Sequence, residues 1–155
     1  KELKLRAPDA TRPWQHVLEP LSGYLQIGMC LHKNEFKNKN IKQNWNFGPN
    51  LFSENKVYQL HENILKIWGS KKIKYGISNK NLHEAKFLKL SINKAWNYLK
   101  WQPNWNYDET IKNTVDWYKL CHEYNHDSLT MQKLTRLQIQ EYTKDAKSKN
   151  IAWST

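Results

Sequence analysis

The chain has 155 residues, enough for one ordinary domain and too few for two. Leu, Ile, Val and Phe supply only 34 of them, close to the floor for a folded protein, but eight Trp and eight Tyr restore the apolar area a core needs. The net charge of +11 comes from 22 Lys and 3 Arg, the lysines spread singly and in pairs among 17 Asn, so a dedicated nucleic-acid face is not expected. No apolar run reaches the length of roughly 18 residues that reads as a membrane span, and the opening residues lack the apolar stretch of a signal peptide. With no initiator Met, the expectation is a partial chain from a cytoplasmic protein.

Glu2 to Arg6 alternates Leu3 and Leu5 with polar residues, as a short strand does. Pro8 to Pro13 is irregular. A helix is predicted from about Trp14, or from Pro20, to Lys33, with Val17, Leu21, Leu25 and Gly28 on one face. Phe36 to Lys42 is a lysine-rich loop. Asn44 to Gly48 reads as a short strand closed by a Gly-Pro-Asn turn. Val57, Leu60, Ile64, Ile67 and Trp68 then mark one helical face, and Gly69 supplies the stop. Lys71–Tyr75 and Lys86–Leu90 read as strands; Ile92, Ala95 and Leu99 mark a short helix ending before Trp101.

Asn106 and Glu109 have the spacing of a capping box, and the helix they open runs to about Glu123 with Ile111, Val115 and Tyr118 inward. A last helical stretch carries Leu134, Leu137, Ile139 and Tyr142. Few, scattered strands among helices make an incomplete inventory for a free-standing α/β fold.

Catalytic signatures are missing. The five glycines, at 23, 28, 48, 69 and 76, offer no close-spaced turn for a pyrophosphate. No Tyr has Lys four residues on, and there is no nucleophile elbow. Cys30 and Cys121 are too far apart in sequence to outline a disulfide framework. Cys30 with His32, and Cys121 with His122 and His126, lack the paired spacing of a closed zinc site, so no metal is expected.

The informative segment is Arg6-Ala7-Pro8-Asp9-Ala10-Thr11-Arg12-Pro13-Trp14-Gln15-His16-Val17, continuing through Glu19-Pro20-Leu21-Ser22-Gly23-Tyr24-Leu25. By itself it reads as a loop leading into a helix, with Arg12 a surface charge. Other motifs follow in order: Trp45-Asn46-Phe47-Gly48-Pro49, Trp68-Gly69, His83-Glu84-Ala85, Lys94-Ala95, Trp101-Gln102-Pro103-Asn104-Trp105 and Thr114-Val115-Asp116-Trp117-Tyr118. Together, from roughly Leu3 to Tyr142, they closely resemble the C-terminal part of the CDP-glucose 4,6-dehydratases, a family of extended short-chain dehydrogenases/reductases. One departure is Lys100, where the family pattern usually has Gly; a left-handed backbone there would cost Lys about 1 kcal/mol.

The resemblance implies an α/β fold in which residues 1–155 form the C-terminal substrate-binding portion of a Rossmann-type enzyme, helices with a few short strands. The NAD-binding half and its catalytic Tyr and Lys lie outside it, so no catalytic or cofactor-binding residue is assigned. By resemblance, the whole enzyme uses NAD to convert CDP-D-glucose to CDP-4-keto-6-deoxy-D-glucose and water, and is a homo-oligomer. Arg12 corresponds to an Arg that contacts the substrate diphosphate in related enzymes. Asn46 is a weaker candidate, and His83 stands where several relatives place a second phosphate-binding Arg; for both, packing is an equal reading. Without the other half, the chain is expected to be inactive and sticky, with the helix faces around Leu21 and Ile64 uncovered and the Asn44–Gly48 strand short of partners. The alternative is a stand-alone nucleotide- or nucleic-acid-binding module descended from such an enzyme.

Overall fold

The structure is a computed structural model, and it describes residues 3–36, 44–50, 55–70, 74–77 and 85–154. Among the described residues four α-helices carry the fold: α1 (Leu18–His32), α2 (Val57–Trp68), α3 (Tyr107–Glu123) and α4 (Ser128–Ser148). Strands β1 (Leu3–Leu5) and β2 (Tyr75–Ile77) pair in parallel, Leu3 opposite Tyr75 and Leu5 opposite Ile77. A π-helical turn at Ala95–Leu99 precedes α3, and a 3₁₀ turn at Ala152–Ser154 follows α4. Among the described residues no helix is long and apolar enough to cross a membrane.

Helix ends follow local chemistry. Pro20 falls in the first turn of α1, where its missing N–H has no intrahelical partner to lose, so the helix starts at Leu18 without a kink. Gly69 ends α2 in the left-handed conformation, φ 79°, which a residue without Cβ adopts freely. At α3, Asn106 Oδ1 accepts from the Glu109 amide at 2.9 Å, and Glu109 Oε2 accepts from the Asn106 amide at 2.7 Å. Asp127 caps α4, its carboxylate accepting from the Thr130 amide. Lys100 does take up the left-handed conformation, φ 55° and ψ 22°, directly after the π-helical turn.

Two of the predicted strands do not form. Among the described residues, 44–50 carry no strand pairing, and the Phe47 carbonyl accepts from the Gln15 side chain. Residues 86–90 contribute a single parallel bridge, Phe87 to Thr11. Of the predicted strand at 71–75, Tyr75 lies in β2 while 71–73 fall outside the described residues. A strand needs a neighbour to take up its backbone groups, and alternation of residue types does not supply one.

One core cluster joins Cys30 of α1 to Phe47, Ile92, Ala95, Leu99 and Trp101. A second set of buried residues comprises Ile111, Val115 and Cys121 of α3, Tyr142 and Ala146 of α4, Trp105 just before α3 and Ile151 just after α4. Tyr118, predicted inward, is 59% exposed, as are Leu137 of α4 at 59% and Ile139 at 44%. α2 packs on α3 with its apolar face half-buried.

Helix α1 is inverted relative to its apolar pattern. It buries Glu19, Ser22, Gly23, Gln26 and Cys30. Its apolar face, predicted to lack cover around Leu21, is open to solvent, with Leu25 77% exposed.

Candidate functional site

The segment from Pro8 to His16 is irregular yet firmly held. Ala10 and Thr11 are buried. The Val57 amide donates to the Ala10 carbonyl at 3.0 Å, and the Tyr58 amide to that of Pro8. These are N-terminal amides of α2, which lack intrahelical acceptors, so the loop and the helix start satisfy each other. On the other side, the Thr11 amide donates to the Lys86 carbonyl at 2.9 Å. Trp14 Nε1 then donates to the Asn55 carbonyl at 3.1 Å, and Gln15 Nε2 to that of Phe47 at 3.0 Å.

Arg12 is half-buried at this junction. Its Nη1 donates to the Thr11 carbonyl at 2.7 Å and to the Ala85 carbonyl at 3.0 Å, which fixes the plane of the guanidinium against residues 85–87. His83 belongs to the segment just before these residues and lies outside the described ones. Asn46 is exposed and adjoins Phe47, whose carbonyl is tied to Gln15 three residues after Arg12. Arg12 thus meets residue 85 directly, and Gln15, three residues on, meets the 44–50 segment.

A buried polar network joins α1 to residues 99–105 and to α4. Glu19, with no exposed surface, accepts at Oε1 from the Trp105 amide at 2.8 Å. Its Oε2 accepts from the Asn104 amide at 2.9 Å and from the Tyr142 hydroxyl at 2.8 Å. Trp101 Nε1 donates to Ser22 Oγ at 2.9 Å, and Gln26 Nε2 to the Leu99 carbonyl at 3.1 Å. Burial holds the Glu19 carboxyl above its usual range, while the Trp105 and Asn104 amides, the Tyr142 hydroxyl and the Lys149 charge pull it back. Burial, followed by the Glu19 charge, pushes Tyr142 far above the usual phenol range, so it remains a donor.

His16 is buried, and burial lowers its pKa to about 4. The neutral ring accepts the Leu18 amide at Nδ1, 3.3 Å away, and meets Trp105 edge to face. Sequence reasoning passed over Glu19, Ser22 and Gln26. Their signal was a polar stripe at i, i+3 and i+7 on α1, opposite the apolar one.

Two other groupings were weighed from sequence. Cys121 Sγ lies 2.9 Å from His126 Nδ1, while Cys30 is buried in the first core cluster. Among the described residues no three His, Cys, Asp or Glu side chains converge as metal ligands. For NAD the sequence has no Gly-rich turn, and among the described residues β1 runs into the pinned Pro8–His16 loop rather than into a helix N-terminus. The residues present do not fit that cofactor.

The described residues thus combine a parallel strand pair with four helices and a buried polar network. The fold matches the crystal structure of dTDP-glucose 4,6-dehydratase from Bacillus anthracis str. Ames in complex with NAD, with a TM-score of 0.60. That match has 24% identity and covers 80% of this chain and 36% of the other. In sequence, 119 residues are 35% identical to CDP-glucose 4,6-dehydratase of Salmonella typhimurium, which is 77% of this chain. The chain spans about a third (32%) of that curated relative's length. No protein-family model matches the chain. The chain is homologous to nucleotide-sugar 4,6-dehydratases over a part of them.

Proposed function

We propose that this chain is the nucleotide-sugar-binding, C-terminal part of a CDP-D-glucose 4,6-dehydratase. The observation that carries the reading is the similarity over 119 residues to an enzyme of that name. The pinned loop bearing Arg12 agrees with it. Arg12 holds its guanidinium in a fixed plane, with Nη1 on the Thr11 and Ala85 carbonyls, and a planar guanidinium suits an anionic group of a diphosphate. Pro13 restricts Arg12 to extended conformations, which directs its side chain away from the helix that follows. Asn46 and His83 are secondary contacts in this reading. NAD and the groups that move protons belong to the remainder of the enzyme, so the chain alone binds no NAD and performs no dehydration. Purified chain supplied with NAD and CDP-glucose is expected to yield no 4-keto product.

The direct test is Arg12→Ala in an intact enzyme carrying this chain. A charge-assisted hydrogen bond contributes about 1.5–3 kcal/mol, so CDP-glucose binding should weaken by roughly ten- to hundredfold. Arg12→Lys should recover part of the loss, because the charge remains and the fork does not. Arg12 also bonds two carbonyls, so the melting temperature must be read from the same samples. Unchanged affinity in a folded Arg12→Ala variant would falsify the diphosphate contact.

A further inference from the structure

We propose that Gln15 is a positioning residue for nucleotide-sugar binding, and that its side chain fixes the exposed Asn46 relative to the Arg12 loop. The inference rests on the reading of the chain as the nucleotide-sugar-binding part of a dehydratase. Gln15 lies three residues after Arg12, on a backbone that is itself held. The Trp14 amide donates to the Arg12 carbonyl at 2.9 Å, and Trp14 Nε1 donates to the Asn55 carbonyl at 3.1 Å. From that base the half-buried Gln15 donates through Nε2 to the Phe47 carbonyl at 3.0 Å, across 32 positions of sequence. Asn46 stands between two tied residues. On one side, Lys94 Nζ donates to the Asn44 carbonyl at 2.8 Å and lies 4.4 Å from the centre of the Trp45 ring. On the other, Phe47 is buried, with its ring edge-on to Trp101 and closed against Gly23. Asn46 is therefore an exposed amide on an anchored backbone, and the Gln15 bond joins that backbone to the Arg12 loop.

The choice of residue type separates positioning from packing. Gln15 Oε1 is buried and has no hydrogen-bond partner among the described residues. An unpaired buried acceptor is destabilising, and an apolar side chain of the same length avoids it. What Gln supplies and Met does not is a directional donor to the Phe47 carbonyl. Contacts to a ligand work when hydrogen bonds behind them hold them in place, and a contact displaced by about 1 Å loses much of its effect.

The test is a double-mutant cycle in an intact enzyme carrying this chain, read by CDP-glucose dissociation constants and melting temperatures. Gln15→Met keeps the volume and removes the donor. It should weaken binding roughly three- to tenfold, the worth of one neutral hydrogen bond, and lower the melting temperature by no more than about 3 °C. Asn46→Ala should weaken binding to a similar degree and leave the melting temperature unchanged. If Gln15 acts through Asn46, the double variant binds within about twofold of the weaker single variant. Additive losses, unchanged affinity in either single variant, or a Gln15→Met enzyme that does not fold each overturn the positioning role. Arg12→Ala separates this from the proposed function. Loss of affinity in Arg12→Ala with none in Gln15→Met sinks the inference alone. Coupled losses at Gln15 and Asn46 with none in Arg12→Ala refute the diphosphate contact and leave the positioning intact. An intact enzyme that binds no CDP-glucose overturns both.

Discussion

Helices α1 and α3 solve the same problem in opposite ways. α3 buries Ile111 and Val115 and leaves Asp108 and Lys112 outside, as an amphipathic helix in water does. α1 buries Glu19, Ser22 and Gln26 and leaves Val17, Leu21 and Leu25 outside. Its inner face is held by hydrogen bonds to residues 99–105 and to Tyr142, and by Gly23, where a methyl group would overlap the Phe47 ring. The difference teaches that an apolar stripe marks a face needing cover without saying which piece of protein provides it. A polar stripe can face inward when each buried group meets a partner.

The comparison breaks most sharply at Glu19. Glu19→Ala leaves the Asn104 and Trp105 amides and the Tyr142 hydroxyl without an acceptor in a buried site, which should cost about 3–5 kcal/mol in urea unfolding. A loss below about 1 kcal/mol would mean that the α1 inner face does not depend on this network.

Acid should sharpen it next. Because the folded-state pKa of His16 is depressed from 6.5 to about 4, the unfolded chain binds its proton first as pH falls. The stability contributed by the neutral ring is present above pH 6.5 and lost between about 6.5 and 4, a change of about 3 kcal/mol at most. Glu19, with its carboxyl raised, works the other way: its contribution is complete below its unfolded value of 4.5 and declines as pH rises through the folded one. Thermal melts from pH 4 to 7 should therefore lose their acid-side slope in His16→Gln. An unaltered slope would assign the acid sensitivity elsewhere.

At Lys100 the expected effect is smaller and favourable. Its φ of 55° strains a side chain, and the residue is exposed, so Lys100→Gly should stabilise by about 1 kcal/mol. Destabilisation on this change would show that the lysine stem contributes packing that outweighs the strain. The smallest effect belongs to the outer face of α1. Leu25→Asn in the chain alone should change stability by no more than about 0.5 kcal/mol, whereas Ile111→Asn on α3 should unfold much of the protein. Similar losses in both variants would erase the contrast between the helices.

Sequence by itself determined the elements that local interactions close. Helix α2 with its Gly69 stop, the Asn106–Glu109 capping box and the extent of α3 were legible because caps and helical periodicity act within a few residues. The motif containing Arg12 was also legible, through its resemblance to a family. What the tertiary structure decided depends on partners distant in the chain. It turned the Glu19 side of α1 inward, because residues 104, 105 and 142 supply three donors to one carboxylate. Among the described residues, 44–48 found no strand partner, and Arg12 was set against Ala85. A periodic pattern offers two faces and a run of alternating residues offers two edges; which face is buried and which edge is paired is fixed only by the groups that arrive from elsewhere.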